Sequence, residues 1–329
     1  MKAIKILTMA ALATAVFASC SSEDELAQSN YPMDNVVRIM TSVDGMNTRA
    51  SYGNSTDKLN SFGFCINNAG NTKYTYDNIK VTKEGNNWNP ATQMLWQNST
   101  TAVDILAYAP YQETTEDATG KVKVFGKTDY AFSVKEDQRN AEDYSSDLIV
   151  YKQTGFTPGT NLNTNQAVNV AFTHLLSQLN LTIELRDQFN QDEKKPVTSA
   201  TVTDVKVDGT FIRSKVNFAA DPISFLRDGQ ASAAITPETV AFKKADKTTD
   251  HATFKYSAIV IPQRVYAGQL CIKFKVDGTD YIWTGSDDAL FESGKKYELH
   301  LLVGKDVVQG GAISAKPWGD ETITEKETD

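Results

Sequence analysis

Val168-Asn169-Val170-Ala171-Phe172-Thr173-His174-Leu175-Leu176-Ser177-Gln178-Leu179-Asn180-Leu181-Thr182-Ile183-Glu184-Leu185-Arg186 reads as extended chain throughout. Leu175, Ser177, Leu179, Leu181, Ile183 and Leu185 share one face, because successive side chains of a strand point to opposite sides. Gln178, Asn180, Thr182, Glu184 and Arg186 share the other. Upstream, Val168, Val170 and Phe172 run in the opposite phase. A phase change inside one run predicts either a bulge near Thr173-His174 or a strand that passes from one sheet to another.

Turn chemistry extends this reading downstream. Val276-Asp277-Gly278-Thr279 carries a two-residue Asp-Gly loop, the strongest short hairpin signal. In that register Phe274 faces Tyr281, Ile272 faces Trp283, and Lys275 opposes Asp280 on the outer side. Val207-Asp208-Gly209-Thr210 repeats the device and predicts a second hairpin. Ile259-Val260-Ile261-Pro262-Gln263 and Tyr297 to Val303 supply two further strands.

Upstream, Val36 to Val43 is a short β-branched strand, and Phe62, Phe64 and Ile66 alternate with Gly63 and Cys65. Asn86 to Pro90 marks a turn before Met94-Leu95-Trp96. Thr101 to Pro110 is a strand stopped by proline. Val122, Val124, Tyr130, Phe132 and Val134 alternate again, and Asp147 to Tyr151 closes the half. Long helical periodicity is missing, and short strands recurring at about ten-residue spacing predict an all-β chain of β-sandwiches. A length of 329 residues favours two domains in tandem. Gly159 to Gln166, polar and without period, is the expected linker, giving an N-terminal sandwich over 50–166 and a C-terminal one over 167–329.

The first residues describe an address. Lys2 and Lys5 precede an apolar run from Ile6 to Phe17, which is shorter than the roughly 20 apolar residues a membrane span needs. Ala18-Ser19 then leads into Cys20, the pattern of a lipoprotein signal in which residues 1–19 are removed and Cys20 carries acyl chains such as palmitate. Each buried methylene contributes about 0.8 kcal/mol, so several chains anchor firmly in an outer-membrane lipid layer. Glu23-Asp24-Glu25 fits a signal for surface display, and residues 20–49 read as a tether followed by the first strand. Net charge of −8 argues against a nucleic-acid partner. Besides Cys20 there are only Cys65 and Cys271, which either pair or remain two thiols.

Little in the chain points to chemistry. A Ser-His-Asp hydrolase needs a histidine held by an acid and facing a nucleophile. His300 lies in an apolar strand, His174 sits at the phase break, and His251 follows a polar loop, so each reads as structural. Asp287-Asp288, Glu142-Asp143 and Glu116-Asp117 resemble glycosidase carboxylates only in type, and solvated loops are their default. No calcium loop of the EF-hand kind and no phosphate-cradling glycine loop appear, so no enzyme and no cofactor are expected. Loop aromatics such as Trp88, Trp96 and Tyr111 leave a second reading open, a surface module that captures glycan or host protein.

These motifs together resemble the fimbrillin lipoproteins, subunits of type V pili of anaerobic Gram-negative bacteria. The similarity runs through Phe17-Ala18-Ser19-Cys20, Asn47-Thr48-Arg49-Ala50, Met94-Leu95-Trp96, Val103 to Pro110, Asp147-Leu148-Ile149, Phe172 to Leu179, Ile261-Pro262-Gln263, Gly294 to Tyr297 and Ile313 to Trp318. The resemblance implies two transthyretin-like β-sandwich domains, a place on a surface pilus that supports adhesion, and other pilus subunits as partners. It also implies cutting by an arginine-specific protease between Arg49 and Ala50, removal of the strand Val36–Val43, and its replacement by a neighbour's strand. Holding the strand until export would guard an edge against premature pairing. The donor implied is the C-terminal segment from Ile313 to Trp318, with Gly310-Gly311 as its hinge. The acidic tail from Gly319 to Asp329 carries one aliphatic residue, Ile323, and fills an apolar groove poorly.

Overall fold

The computed structural model describes residues 30–44, 56–113, 116–117, 120–121, 123–191, 196–227, 232–247, 249–311 and 313–317. It is all-β. The first half holds β1 (Arg38–Asp44), β2 (Ser61–Asn67), β3 (Tyr76–Glu84), β4 (Asn87–Pro90), β5 (Val103–Ala109), β6 (Glu116–Asp117), β7 (Gly120–Lys121), β8 (Tyr130–Ser133) and β9 (Ile149–Phe156). A single-turn helix, α1 (Pro158–Asn161), then leads to β10 (Ala167–His174) and β11 (Ser177–Leu185). Next come β12 (Val202–Asp208), β13 (Arg213–Asn217), β14 (Ser224–Arg227), β15 (Glu238–Lys243), β16 (Ala252–Val260) and β17 (Gln263–Val265). The chain ends with β18 (Cys271–Val276), β19 (Thr279–Thr284), β20 (Ala289–Phe291), β21 (Lys295–Val303), β22 (Val308–Gly310) and β23 (Ser314–Pro317).

A seven-stranded sheet runs β1-β10-β9-β5-β2-β3-β4, and a six-element sheet runs β15-β16-β11-β21-β22 with β23 also on β21. Smaller sheets join β12-β18-β19 and β14-β13-β8. The large sheet is buried on both faces. Phe62, Phe64, Ile66, Ile105, Val168, Val170 and Phe172 fill one core, while Cys65, Leu106, Tyr108 and Val150 face a second with Tyr130, Phe132 and Phe218. Burial on both sides explains why, after Asp104, Ile105–Ala109 is an unbroken apolar run rather than an alternation. Tyr108 lies across β2, where a β-carbon on Gly63 would overlap its ring.

The phase change at Thr173-His174 is a passage between sheets. β10 ends in the seven-stranded sheet, and β11 begins in the middle of the other, between β16 and β21. Buried His174 marks the corner, its Nδ1 2.9 Å from Asp147 Oδ1. The chain thus crosses from one sheet to the other at Leu175-Leu176, and Val168, Val170 and Phe172 complete the first core. In return, β8 pairs with β13 of the second half. The stretch expected to be a linker contains α1 and a turn whose Leu162 is buried, and Asn163 Oδ1 accepts from Ala167 N.

The Asp277-Gly278 hairpin has the register read from its turn, with Phe274 stacked on Tyr281 at 5.7 Å. Both turn residues have positive φ, 49° and 83°, the signature of a type I′ loop. Asp208-Gly209 is not a hairpin. β12 pairs with β18, and β13 with β14 and β8. Gly209 is required there because a β-carbon would overlap the Gln269 carbonyl, so a close approach and not a two-residue loop uses the glycine. The strand expected over Ile259–Gln263 is split into β16 and β17 around Pro262, which has no N–H for a ladder. Cys65 is buried and Cys271 half-buried, and both are free thiols.

Candidate strand-replacement site

β1 is one outermost strand of the seven-stranded sheet, and β4 is the other. β1 runs parallel to β10, with Ile39 opposite Val168 and Thr41 opposite Val170. Alternation places Val37 (2% exposed) and Ile39 (7% exposed) in the core and leaves Met40 out at 43%. Burying two such side chains stabilises by about 1.5–3 kcal/mol each. The strand is bracketed where it begins. Val37 N donates to Met94 O at 3.0 Å, Trp96 N donates to Asn35 O at 2.8 Å, and Val36 bridges Leu95. Just upstream, Asn30 Nδ2 donates to Leu162 O. On the surface Arg38 forks onto Asp34 and holds that carboxyl below its usual value, a contact worth little at such exposure. A cleft of about 750 Å³ lies between the start of β1 and Asn86–Pro90 around β4.

The core beneath β1 contains two buried polar atoms with no hydrogen-bond partner among the described residues, Thr41 Oγ1 and Trp96 Nε1. Trp96 stacks on Phe156 at 5.6 Å, so it belongs to the core and is no surface for capture. Trp88 packs edge-on to Phe62, and Tyr111 lies under Lys80.

The C-terminal segment lies along the outer edge of β21. β22 pairs with Leu301–Val303 and β23 with Lys295–Glu298, while Gly311 N donates to His300 O between them. Ile313 is half-buried against the core, but Gln309, Gly310, Gly311, Ser314 and Ala315 are exposed. Ladder bonds hold this segment more than side-chain burial does. Trp283 of β19 packs onto Gly310, and Tyr281 Oη donates to Lys305 O. The sequence marked Gly310 as a hinge but gave no sign of Trp283, which lies on another strand.

Of the residues singled out by sequence, Cys20, Arg49, Ala50 and Trp318 lie outside the described residues, as does Val122. His251 Nδ1 and His300 Nε2 both meet the carboxylate of Glu184, the latter at 2.6 Å. Asp143 pairs with Lys135, and Asp288 sits 3.6 Å from Arg264. Among the described residues no group of His, Cys, Asp and Glu side chains is placed to hold a metal ion.

The family model described as fimbrillin-like matches residues 48–318. A comparison with curated proteins found no match. Among solved structures, the chain is similar to a candidate cell adhesion protein from Bacteroides ovatus, with a TM-score of 0.62 at 13% identity, covering 87% of this chain and 98% of that one. It is also similar to a fimbrial protein from Bacteroides vulgatus, with a TM-score of 0.51 at 15% identity over 86% and 99% of the two chains. A further candidate cell adhesion protein, from Bacteroides uniformis, gives a TM-score of 0.54 at 20% identity over 87% and 99%.

Proposed function

Because the chain belongs to the fimbrillin-like family, we propose that it is a subunit of a cell-surface pilus, exported as a lipoprotein through Cys20 and assembled by strand replacement. The observation that carries this reading is the position of β1, an outermost strand whose Ile39, with Val37 just before it, fills a core built by other strands. Cutting after Arg49 frees β1 from the rest of the chain, and its departure bares the β10 edge and the apolar groove over Val168 and Val170. A strand from a neighbouring subunit then restores both the ladder and the core, with main-chain bonds giving affinity and alternate side chains giving selectivity. The donor is the segment around Ile313, which loses few buried side chains when it leaves β21. The cut also separates the mature subunit from its lipid, so the anchor serves delivery.

The test is treatment of the lipid-free precursor with an arginine-specific protease. One cut after Arg49 followed by oligomer ladders is expected, and Arg49→Ala abolishes both. A precursor that is cut there and remains monomeric overturns the assembly mechanism.

A further inference from the structure

Resting on the reading that β1 is cut away and replaced, we infer that Thr41 is the weak point of the resident strand, and that the strand replacing it presents an aliphatic side chain opposite Val170.

Four observations bear on this position and its strand. Register and alternation set Thr41 on the same face of β1 as Val37 and Ile39, beside β10 residues Val168 and Val170, both fully buried. Its hydroxyl is buried there without a partner among the described residues. A buried hydroxyl that gives up its water bonds and gains none is destabilising, whereas a methyl group of the same shape is not. The ladder around it is parallel, which is slightly weaker per residue than an antiparallel one. Finally, the cleft of about 750 Å³ beside the start of β1 gives an incoming segment room to engage before the resident strand has left. β1 is thus adequate to fill the groove and improvable by a single methyl, and a replacing strand gains over it at that methyl.

The occupant is an extended segment of a second copy of this chain. Within Ala312–Pro317 the one branched aliphatic residue is Ile313, and it shares its strand face with Ala315. Ile313 is therefore the side chain assigned to the Thr41 position.

Thr41→Val and Thr41→Ser precursors test this beside the native chain. Uncut Thr41→Val should melt higher than native, which also shows that it folds. After the cut, each is challenged with synthetic peptides of residues 36–44, in the native sequence and in its Thr41→Val form, and the mass of the retained leader is followed. The Thr41→Val leader should leave roughly ten-fold more slowly than the native one, and the Thr41→Ser leader no more slowly. The Thr41→Val peptide should hold the native cut protein roughly ten-fold more tightly than the native peptide does. A peptide of residues 308–317 should displace the native leader, and its Ile313→Thr form should do so roughly ten-fold less well. Equal release of the native and Thr41→Val leaders, with native displacement observed, overturns the role of Thr41. Equal action of the two 308–317 peptides overturns the assignment of Ile313. If no peptide displaces any cut leader, strand replacement itself is overturned.

Discussion

The indole nitrogen of Trp283 stands in the space that a β-carbon on Gly310 would occupy. A residue of β19 is thereby seated on the backbone of β22, and the edge of one sheet is keyed to another. Gly310 is needed as a surface for the indole, in addition to any swivelling of the chain.

Gly310→Ala should push the indole out and loosen the segment it covers. The expected result is faster amide exchange over Val308–Lys316 and a loss of about 1–3 kcal/mol of stability. Trp283→Ala made together with Gly310→Ala should show a coupling, because removing the indole removes the clash that the added methyl introduces.

Ile39→Ala should cost the uncut precursor about 2–5 kcal/mol, since Ile39 is buried in a core that β1 only borders. Met40→Ala, one residue along on the exposed side, should stay within about 0.5 kcal/mol. Denaturant unfolding of the two variants checks the orientation of the strand.

Tyr108→Phe removes a buried hydroxyl that donates to Asn78 Oδ1 at 2.6 Å and lies 3.2 Å from Gln112 O. Stability should fall by about 1–3 kcal/mol in thermal or chemical unfolding. Gly63→Ala should also destabilise, by steric overlap with the same ring.

Burial, with Asp77 adding to it, pushes the Cys65 thiol well above its ordinary value. The reactive form is the thiolate, so a raised value means protection. In a Cys20→Ser chain, a thiol reagent between about pH 7 and 9 should label Cys271 in the native state and Cys65 only on unfolding. Rapid native labelling of both would contradict the placement of β2.

What the sequence disclosed followed its local physics. The Asp277-Gly278 loop fixed a register because a type I′ turn allows one pairing of its flanking strands. Asp208-Gly209 has the same letters and a different cause, the approach of Gln269 from a distant loop. The phase break at Thr173-His174 was visible, but only the partners of β10 and β11 separate a sheet change from a bulge. The membership of β10 in the first sheet was hidden for a related reason. Polar composition identified a surface turn, while the allegiance of Val168, Val170 and Phe172 depends on packing with side chains as distant in sequence as Phe62. Nothing local indicates that the Thr41 hydroxyl has no partner among the described residues, because threonine is an ordinary strand residue.

The parallel register of β1 on β10 also governs the order of folding. Arg38 meets Ala167, and every pair along the ladder is separated by more than a hundred residues of chain. Closing so long a loop has an entropic cost before any contact offsets it, and such non-local pairings form slowly. β9, β5, β2 and β3 reach one another through shorter connections, so their sheet can assemble first. On that order the groove over Val168 and Val170 is complete before β1 seats in it. During that interval the leader's advantage is its covalent attachment, which gives it a high local concentration that a strand from another molecule lacks. The cut after Arg49 would end that advantage, turning the contest for the groove from one of proximity into one of fit.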